Sequence, residues 1–202
     1  MSNKYPVEIE RKFLVHCIPI NLQNSTHLRQ WYIPSSLIEY KNKITLNELE
    51  LVSEVKNEWQ SKVRELINLE NTTIRIRIDN KSAILCIKGK TKGISRMEFE
   101  WELQNYSVIE ELLVESNWPM VEKQRWEIIA EDGHLWELDQ FLGLNEGLWL
   151  TEIELANEND DFVCPNWVGS DVSQDRRFSS KQLAKNPYVE FKEDQLRPLR
   201  KC

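Results

Sequence analysis

Short stretches in which polar and apolar residues alternate with a period of two recur along the whole chain. The first is VEIERKFLV at residues 7–15. In a strand, successive side chains point to opposite faces. Glu8, Glu10 and Lys12 therefore share one face, and Ile9 and Phe13 lie on the other. This alternation predicts a β-strand with one charged and one apolar face.

Six further segments repeat the pattern, and turn signals such as Asp79-Asn80 and Asp132-Gly133 separate several of them. These segments are 73–78, 82–88, 96–103, 123–128, 136–139 and 151–155, and a strand at about 29–33 brings the predicted number to eight. Their charged faces carry Arg75, Arg77, Lys88, Arg96, Glu98, Glu100, Glu102, Lys123, Arg125, Glu137, Asp139, Glu152 and Glu154.

Two arrangements satisfy this alternation. The apolar faces, with Phe99, Trp101, Trp126 and Trp136, are too large to remain in water and predict packing against helices or a partner. The charged faces either contact water, as on most half-polar sheets, or line the interior of a closed barrel. Alternation alone favours the solvated sheet.

Composition narrows the class of protein. The chain has 202 residues and a formal net charge of −7, which argues against broad nucleic-acid binding. The cysteines at 17, 86, 164 and 202 form no CxxC pair and predict reduced thiols in a cytoplasmic protein. No apolar run reaches the ~20 residues of a membrane span.

Helices are fewer than strands. Thr45-Leu46-Asn47-Glu48 matches a capping box and predicts a helix from Leu49 to about Leu69. Two further helices are predicted at 107–116 and 179–185. We therefore expect a single domain, 1–202, with a helical insertion at about 41–71 that covers the sheet or meets a partner.

The segment Glu8-Ile9-Glu10-Arg11-Lys12 reproduces the E-x-E-x-K signature of the CYTH superfamily, the triphosphate tunnel metalloenzymes. The resemblance continues in order through most of residues 7–188 and is closest to the bacterial inorganic triphosphatase-like branch. The matching segments are TIRIR at 73–77, IKGKTKGISR at 87–96, EFEWEL at 98–103, EKQR at 122–125, WELDQF at 136–141, EIEL at 152–155 and LAKNPY at 183–188.

This resemblance implies an α+β, mainly β fold: an eight-stranded antiparallel closed barrel, a tunnel with a charged lumen, covered by a few helices. It favours the barrel over the solvated sheet. It also implies a triphosphate substrate held by basic side chains, which are Arg75, Arg77, Lys88, Arg96, Lys123 and Arg125. For Arg96 an ion pair with a neighbouring glutamate is an equal alternative.

The implied catalytic residues are Lys12, beside the reacting end of the substrate, and Glu10. The implied ligands of Mg²⁺ or Mn²⁺ are Glu8, Glu10, Glu152 and Glu154, since hard oxygen ligands suit these ions. Glu98, Glu100 and Glu102 orient the basic residues or complete the metal shell. Glu137 and Asp139 are further candidate ligands, and either Lys181 or Lys185 reaches the tunnel from the terminal helix.

The implied function is metal-dependent hydrolysis of the terminal phosphoryl group of inorganic tripolyphosphate. The alternatives are a nucleoside or thiamine triphosphatase, a class IV-like adenylate cyclase, and a non-catalytic polyphosphate or nucleotide sensor. The expected partner is a small-molecule triphosphate, with no nucleic acid and no membrane. A homodimer is favoured slightly, because the stripe from Leu49 to Leu66 is apolar enough to seek a partner.

Overall fold

The computed structural model describes residues 5–70, 72–191 and 199–202. Within them the strands are β1 (Val7–Val15), β2 (Thr26–Tyr32), β3 (Ile38–Tyr40), β4 (Ile44–Leu46), β5 (Leu49–Val52), β6 (Thr73–Ile78), β7 (Ala83–Lys88), β8 (Ser95–Glu102), β9 (Met120–Ile129), β10 (Leu135–Phe141), β11 (Trp149–Glu154) and β12 (Val168–Asp171). The α-helices are α1 (Asn57–Ile67), α2 (Tyr106–Glu115) and α3 (Ser180–Lys185).

Eight of these strands form a closed antiparallel barrel. The sheet order is β11-β10-β9-β2-β6-β7-β8-β1-β12, and β11 also pairs with β1. All eight predicted barrel strands are confirmed, with ends that shift by a few residues. Because the sheet closes on itself, the barrel predicted from the resemblance is confirmed and the open solvated sheet is wrong.

The chain divides into two compact units. The first comprises the described parts of Met1–Glu8, Arg29–Lys92 and Arg96–Met120. The second comprises those of Ile9–Leu28, Gly93–Ser95 and Val121–Cys202. They are called unit 1 and unit 2 below.

Unit 1 buries the apolar faces of its strands. Ile74, Ile76 and Ile78 of β6 pack in one core with Val63 and Leu66 of α1. The alternation predicted for β6 is therefore confirmed, and the arginines between the isoleucines lie on the opposite face. The stripe on α1 is buried within unit 1, so it no longer argues for a dimer.

The predicted helix from Leu49 to Leu69 is wrong in its first half. Leu46 of β4 pairs with Leu49 of β5, and the two residues between them, Asn47 and Glu48, have φ of 45° and 71°. Two consecutive positive φ angles fit a type I′ hairpin turn, in which asparagine is favoured. The supposed capping box is thus a hairpin turn, and the helix begins only at Asn57.

Unit 2 has its own apolar core, which includes Phe13, Trp136, Leu138, Ile153 and Trp167. Trp136 is fully buried and contacts the rings of Phe13 and Trp167 with centroid distances of 5.6 and 5.8 Å. Phe13, Trp136, Leu138 and Ile153 come from the apolar faces of β1, β10 and β11, and Trp167 immediately precedes β12. Their burial leaves the charged residues of the same strands on the opposite face.

The prediction of four reduced thiols is wrong for two of them. Cys17 and Cys202 form a disulfide across 185 residues of sequence, and Ile18 bridges to Lys201 beside it. Cys86 and Cys164 are free. Spacing could not predict this bond, because only folding brings two cysteines so distant in the sequence together within unit 2. Among the helices described, none has the length and apolar character needed to cross a membrane.

Candidate functional site

The charged cluster of unit 1 consists of Glu8, Arg75, Lys88, Arg96, Glu98 and Glu100. Strand register explains how it forms. Lys88 of β7 lies opposite Glu98 of β8, and Cys86 lies opposite both Arg75 of β6 and Glu100 of β8. Directly opposed residues share a face of an antiparallel sheet. Four predicted site residues of unit 1 are therefore brought together: Glu8, Arg75, Lys88 and Arg96.

Every basic side chain of this cluster contacts a carboxylate. The Lys88 ammonium lies 3.3 Å from Glu8 and 2.5 Å from Glu98. The Arg96 Nε donates to Glu8 at 2.7 Å, so the ion pair expected as an alternative for Arg96 is present. Arg75 donates to Glu100 at 3.4 Å. The cluster is a chain of alternating charges.

Burial and hydrogen bonding separate the two central carboxyl groups. Burial raises the pKa of Glu8, and its hydrogen bond with Glu98 adds to that effect against the charges of Lys88 and Arg96. Burial also acts to raise the pKa of Glu98, but the hydrogen bond from Glu8 and the charge of Lys88 outweigh it, so this pKa is lowered. The pair is therefore suited to share one proton.

Arg77 and Cys86 complete the charged face of unit 1. Arg77 is half-buried on the face of Arg75, as the alternation predicts. The Cys86 thiol donates to Glu98 at 2.9 Å, and burial raises its pKa. Sequence reasoning overlooked Cys86, although its position two residues before Lys88 placed it on this face. Its sulfur and the oxygens of Glu98 and Glu100 lie within 4.8 Å of one another, a grouping that could hold a metal ion.

The charged cluster of unit 2 consists of Glu10, Lys12, Lys123, Arg125, Glu137, Asp139, Glu152 and Glu154. Its first part is built by the β1–β11 pairing, which places Glu10 opposite Glu154 and Lys12 opposite Glu152. The signature strand and the second E-x-E pair thus form one patch. Glu137 of β10 lies opposite Glu152 as well, and Arg125 of β9 lies opposite Asp139.

The basic residues of this second cluster are held by short contacts. The Lys12 ammonium lies 2.7 Å from Glu152 and 3.3 Å from Glu10. Arg125 donates to Glu152 at 3.1 Å and also to Glu137. Lys123 lies 2.5 Å from Asp139, which also accepts from Arg125 at 2.6 and 2.7 Å.

This network shifts the pKa values of its buried members. Burial alone would raise the pKa of Glu152, but Lys12, Lys123 and Arg125 hold it well below its usual range. Burial raises the pKa of Glu137 despite the charge of Arg125. Burial and the charge of Arg125 lower the pKa of Lys123. Glu152 is therefore an anion held in place by cations.

The terminal helix α3 carries two lysines, and one of them is partly buried. Lys181 is half-buried, and burial together with the charge of Lys185 lowers its pKa, whereas Lys185 is exposed. Asn145 holds this region, donating to the Leu183 carbonyl at 3.3 Å and accepting from the Tyr188 amide at 2.8 Å. Asn145 carried no sequence signal beyond the turn Asn145-Glu146-Gly147.

Comparison with known proteins bears on this arrangement. No protein-family model matches the chain. An inorganic triphosphatase of Acetivibrio thermocellus is 42% identical over 124 residues, which cover 61% of this chain and 79% of that protein. The chain belongs to the inorganic triphosphatase family. The resemblance read from the E-x-E-x-K strand is therefore confirmed.

Two further comparisons, one of sequence and one of structure, extend the match beyond that region. An inorganic triphosphatase of Nitrosomonas europaea is 29% identical over 181 residues, covering 88% of this chain and 96% of that protein. The crystal structure of the inorganic triphosphatase NE1496 aligns with a TM-score of 0.54 at 26% identity, covering 88% of this chain and 93% of that structure. The likeness spans sequence and fold.

Proposed function

We propose that this protein hydrolyses the terminal phosphoryl group of inorganic tripolyphosphate with the help of a divalent cation. The names of its relatives support this reaction. The observation that carries it is the register of β1 and β11, which opposes Glu10 to Glu154 and Lys12 to Glu152. One strand pair therefore offers both carboxylate ligands and a cation, as hydrolysis of a metal-bound polyanion requires.

We propose that the basic residues of the charged clusters bind phosphate oxygens. Arg75, Arg77, Lys88 and Arg96 belong to unit 1, and Lys123 and Arg125 to unit 2. Arginine binds phosphate through paired donors, whereas lysine contributes a point charge. Because most of these side chains contact carboxylates at 2.5–3.4 Å, phosphate oxygens would replace part of those contacts. The released carboxylates would then need a cation.

The carboxylates fit a hard divalent cation such as Mg²⁺ or Mn²⁺. Glu10 and Glu154 lie directly opposite on neighbouring strands, where two like charges destabilise a sheet unless a cation lies between them. Glu152 is held as an anion, the form that a ligand must take. Glu8 fits less well, because its pKa is raised by burial, whereas that of Glu152 is lowered. We therefore propose Glu10, Glu152 and Glu154 as the principal ligands.

In the proposed mechanism Lys12 neutralises charge at the reacting phosphoryl group. Its ammonium is kept on the face of β1 by Glu152 and Glu10, so it is positioned before substrate arrives. A bound divalent cation would neutralise phosphate oxygens and acidify the attacking water. Lys181, rather than the exposed Lys185, is the lysine of α3 that we propose to contact substrate.

One assay tests the proposal. Release of orthophosphate and of pyrophosphate is measured from tripolyphosphate, ATP and thiamine triphosphate, with Mg²⁺, with Mn²⁺ and with excess EDTA. We expect orthophosphate release to be fastest from tripolyphosphate and to stop with EDTA. Full turnover in EDTA would contradict the metal requirement.

The same assay separates the alternatives. A cyclase would release pyrophosphate from ATP and no orthophosphate. A nucleoside or thiamine triphosphatase would prefer ATP or thiamine triphosphate. A sensor would bind tripolyphosphate by calorimetry and release nothing. Each outcome would replace tripolyphosphate hydrolysis as the function.

The remaining proposals concern partners and location. We propose a small-molecule substrate and no nucleic acid, in keeping with the net charge of −7. A homodimer stays a prediction that light scattering would test. A cytoplasmic location also stays a prediction, and the Cys17–Cys202 disulfide argues against it, because such bonds persist mainly in oxidising compartments.

A further inference from the structure

Asp139 is the most deeply buried charged side chain of the unit 2 cluster, with an exposed fraction of 0%. Its position on β10 follows from the alternation of 136–139, and it lies opposite Arg125 of β9. Lys123, two residues before Arg125 on the same face, is also buried. A carboxylate buried this deeply is stable only when its oxygens accept hydrogen bonds.

Three donors fill both oxygens of Asp139. The Arg125 Nε donates to Oδ1 at 2.7 Å, and Nη2 donates to Oδ2 at 2.6 Å. The Lys123 ammonium donates to the same Oδ2 at 2.5 Å. With no exposed surface and three charged donors, Asp139 has no open position for a metal ion. The sequence-based suggestion that Asp139 is a metal ligand therefore does not fit this geometry.

Lys123 depends on Asp139 more than Arg125 does. Arg125 also donates to Glu137 and Glu152, so it keeps two carboxylate partners without Asp139. Among the contacts of the described residues, Asp139 is the one hydrogen-bond acceptor of Lys123, whose ammonium otherwise lies 5.5 Å from the centre of the Phe141 ring. Two cations on one strand face repel each other, and Asp139 holds them together.

We propose that Asp139 is a positioning residue that holds Lys123 and Arg125 in the geometry in which they bind the phosphate chain. This inference rests on the proposed function for the roles of Lys123 and Arg125. Asp139 itself touches neither substrate nor metal. Phosphate oxygens would replace the contacts of Arg125 with Glu137 and Glu152, while Asp139 keeps both cations in place.

The test compares Asp139→Asn with Asp175→Asn. Asp175 accepts from Nε and Nη2 of Arg177 in the same fork, at 3.1 and 2.6 Å, but is only half-buried and lies outside the cluster. We expect Asp139→Asn to raise KM for tripolyphosphate at least about tenfold while kcat stays within about threefold. The Mg²⁺ concentration for half-maximal activity should not change. Asp175→Asn should leave all three values within about twofold.

Three results would overturn the inference. A lower melting temperature with unchanged KM would make Asp139 merely structural. A raised Mg²⁺ requirement would make it a metal ligand. A fall in kcat with unchanged KM would remove it from substrate positioning.

A second pair of variants keeps the inference testable if Asp139→Asn alone does not fold. Lys123→Met and the double variant Lys123→Met/Asp139→Asn remove the dependent cation first alone and then together with its anion. Because Arg125 keeps Glu137 and Glu152 as acceptors, loss of Asp139 should act mainly through Lys123, and the two variants should differ in KM by no more than about threefold. A further tenfold loss in the double variant would contradict this. Calorimetric binding of tripolyphosphate gives the same comparison without turnover.

Failure of the inference and failure of the proposed function look different. Normal kinetics in Asp139→Asn beside an active wild type would remove only the role of Asp139. A wild type that binds tripolyphosphate without hydrolysing it would remove the proposed reaction, while weakened binding by Asp139→Asn would still support the positioning role. A wild type that neither binds nor hydrolyses it would overturn both.

Discussion

The two charged clusters contain the same types of acidic and basic residues, but these residues are buried to different depths. In unit 1 the carboxylates Glu8 and Glu98 share a hydrogen bond, and Glu100 is exposed. In unit 2 the pair Asp139 and Glu152 is buried and surrounded by cations. The Arg75–Glu100 pair of unit 1 is partly exposed and exchanges partners at little cost, whereas the buried Lys123–Asp139 pair of unit 2 is expensive to break. The Arg75–Glu100 contact is therefore the adjustable part of the first cluster, and Asp139 is the fixed part of the second.

The largest expected effect follows from the metal ligands assigned to unit 2. Glu10→Gln keeps the volume of the side chain but removes a ligand charge. We expect kcat for tripolyphosphate to fall more than about a hundredfold, beyond the loss typical for groups that only support a ligand. Glu100→Gln is the matched change in unit 1 and should cost less than about tenfold. Equal losses of kcat in Glu10→Gln and Glu100→Gln would contradict the assignment of the metal ligands to the unit 2 cluster.

The next largest effect is on the free energy of unfolding. The contributions of Glu152 and Glu8 to this free energy change with pH in opposite directions. The folded-state pKa of Glu152 lies well below the ordinary value of 4.5, so its contribution to stability is present above that value and is lost as pH falls toward the folded-state pKa. The folded-state pKa of Glu8 lies above 4.5, so its contribution is present below that value and is lost as pH rises through the folded pKa.

Glu152→Gln and Glu8→Gln reveal these signs in melting experiments with EDTA. At pH 7.5, Glu152→Gln should lower the free energy of unfolding by about 3 kcal/mol, because Lys12 and Arg125 lose a buried partner. That deficit should shrink toward pH 4. Glu8→Gln should match the wild type near pH 4 and gain on it as pH rises. Parallel curves for the two variants would contradict the assignment.

A smaller effect is expected at Arg77 of unit 1. Arg77→Ala should lower kcat/KM for tripolyphosphate by roughly ten- to a few hundredfold, since one charge-assisted contact contributes about 1.5–3 kcal/mol. Arg77→Lys should restore part of the loss, because an ammonium cannot form the fork. A change within about twofold in both binding and turnover would mean that Arg77 does not face substrate.

Much of the fold followed from the sequence because alternation is a strong signal. The strand 73–78 was predicted with the correct faces, and Ile74, Ile76 and Ile78 are buried as expected. Closure of the barrel did not follow from alternation, which is the same in open and closed sheets. It depends on pairing between β1 and β11, which are about 140 residues apart, and required the family resemblance.

The candidate site was predictable by residue type but not by partner. The signature placed Glu10 and Lys12 correctly on one face, yet only the register shows which residues oppose them. Asp139 was placed on the charged face, but nothing local distinguishes a metal ligand from a carboxylate that holds two cations. That difference depends on depth and on Lys123, sixteen residues away.

The smallest expected effect concerns the hairpin of unit 1, where a capping box was predicted. Glu48 has a φ of 71°, which costs a residue with a Cβ atom and costs glycine nothing. We expect Glu48→Gly to raise the free energy of unfolding by about 0.5–1 kcal/mol, or the melting temperature by about 1–3 °C.

Glu50→Gly is the matched control, because Glu50 lies in β5, where glycine weakens a strand, and its ion pair with Lys43 at 2.6 Å would be lost. This control should lower the melting temperature. The two readings of Asn47-Glu48 predict opposite signs for Glu48→Gly. At the third position of a capping box, glycine would remove a favourable contact and lower stability. A lower melting temperature for Glu48→Gly would therefore restore the helix start, whereas a higher one supports the hairpin.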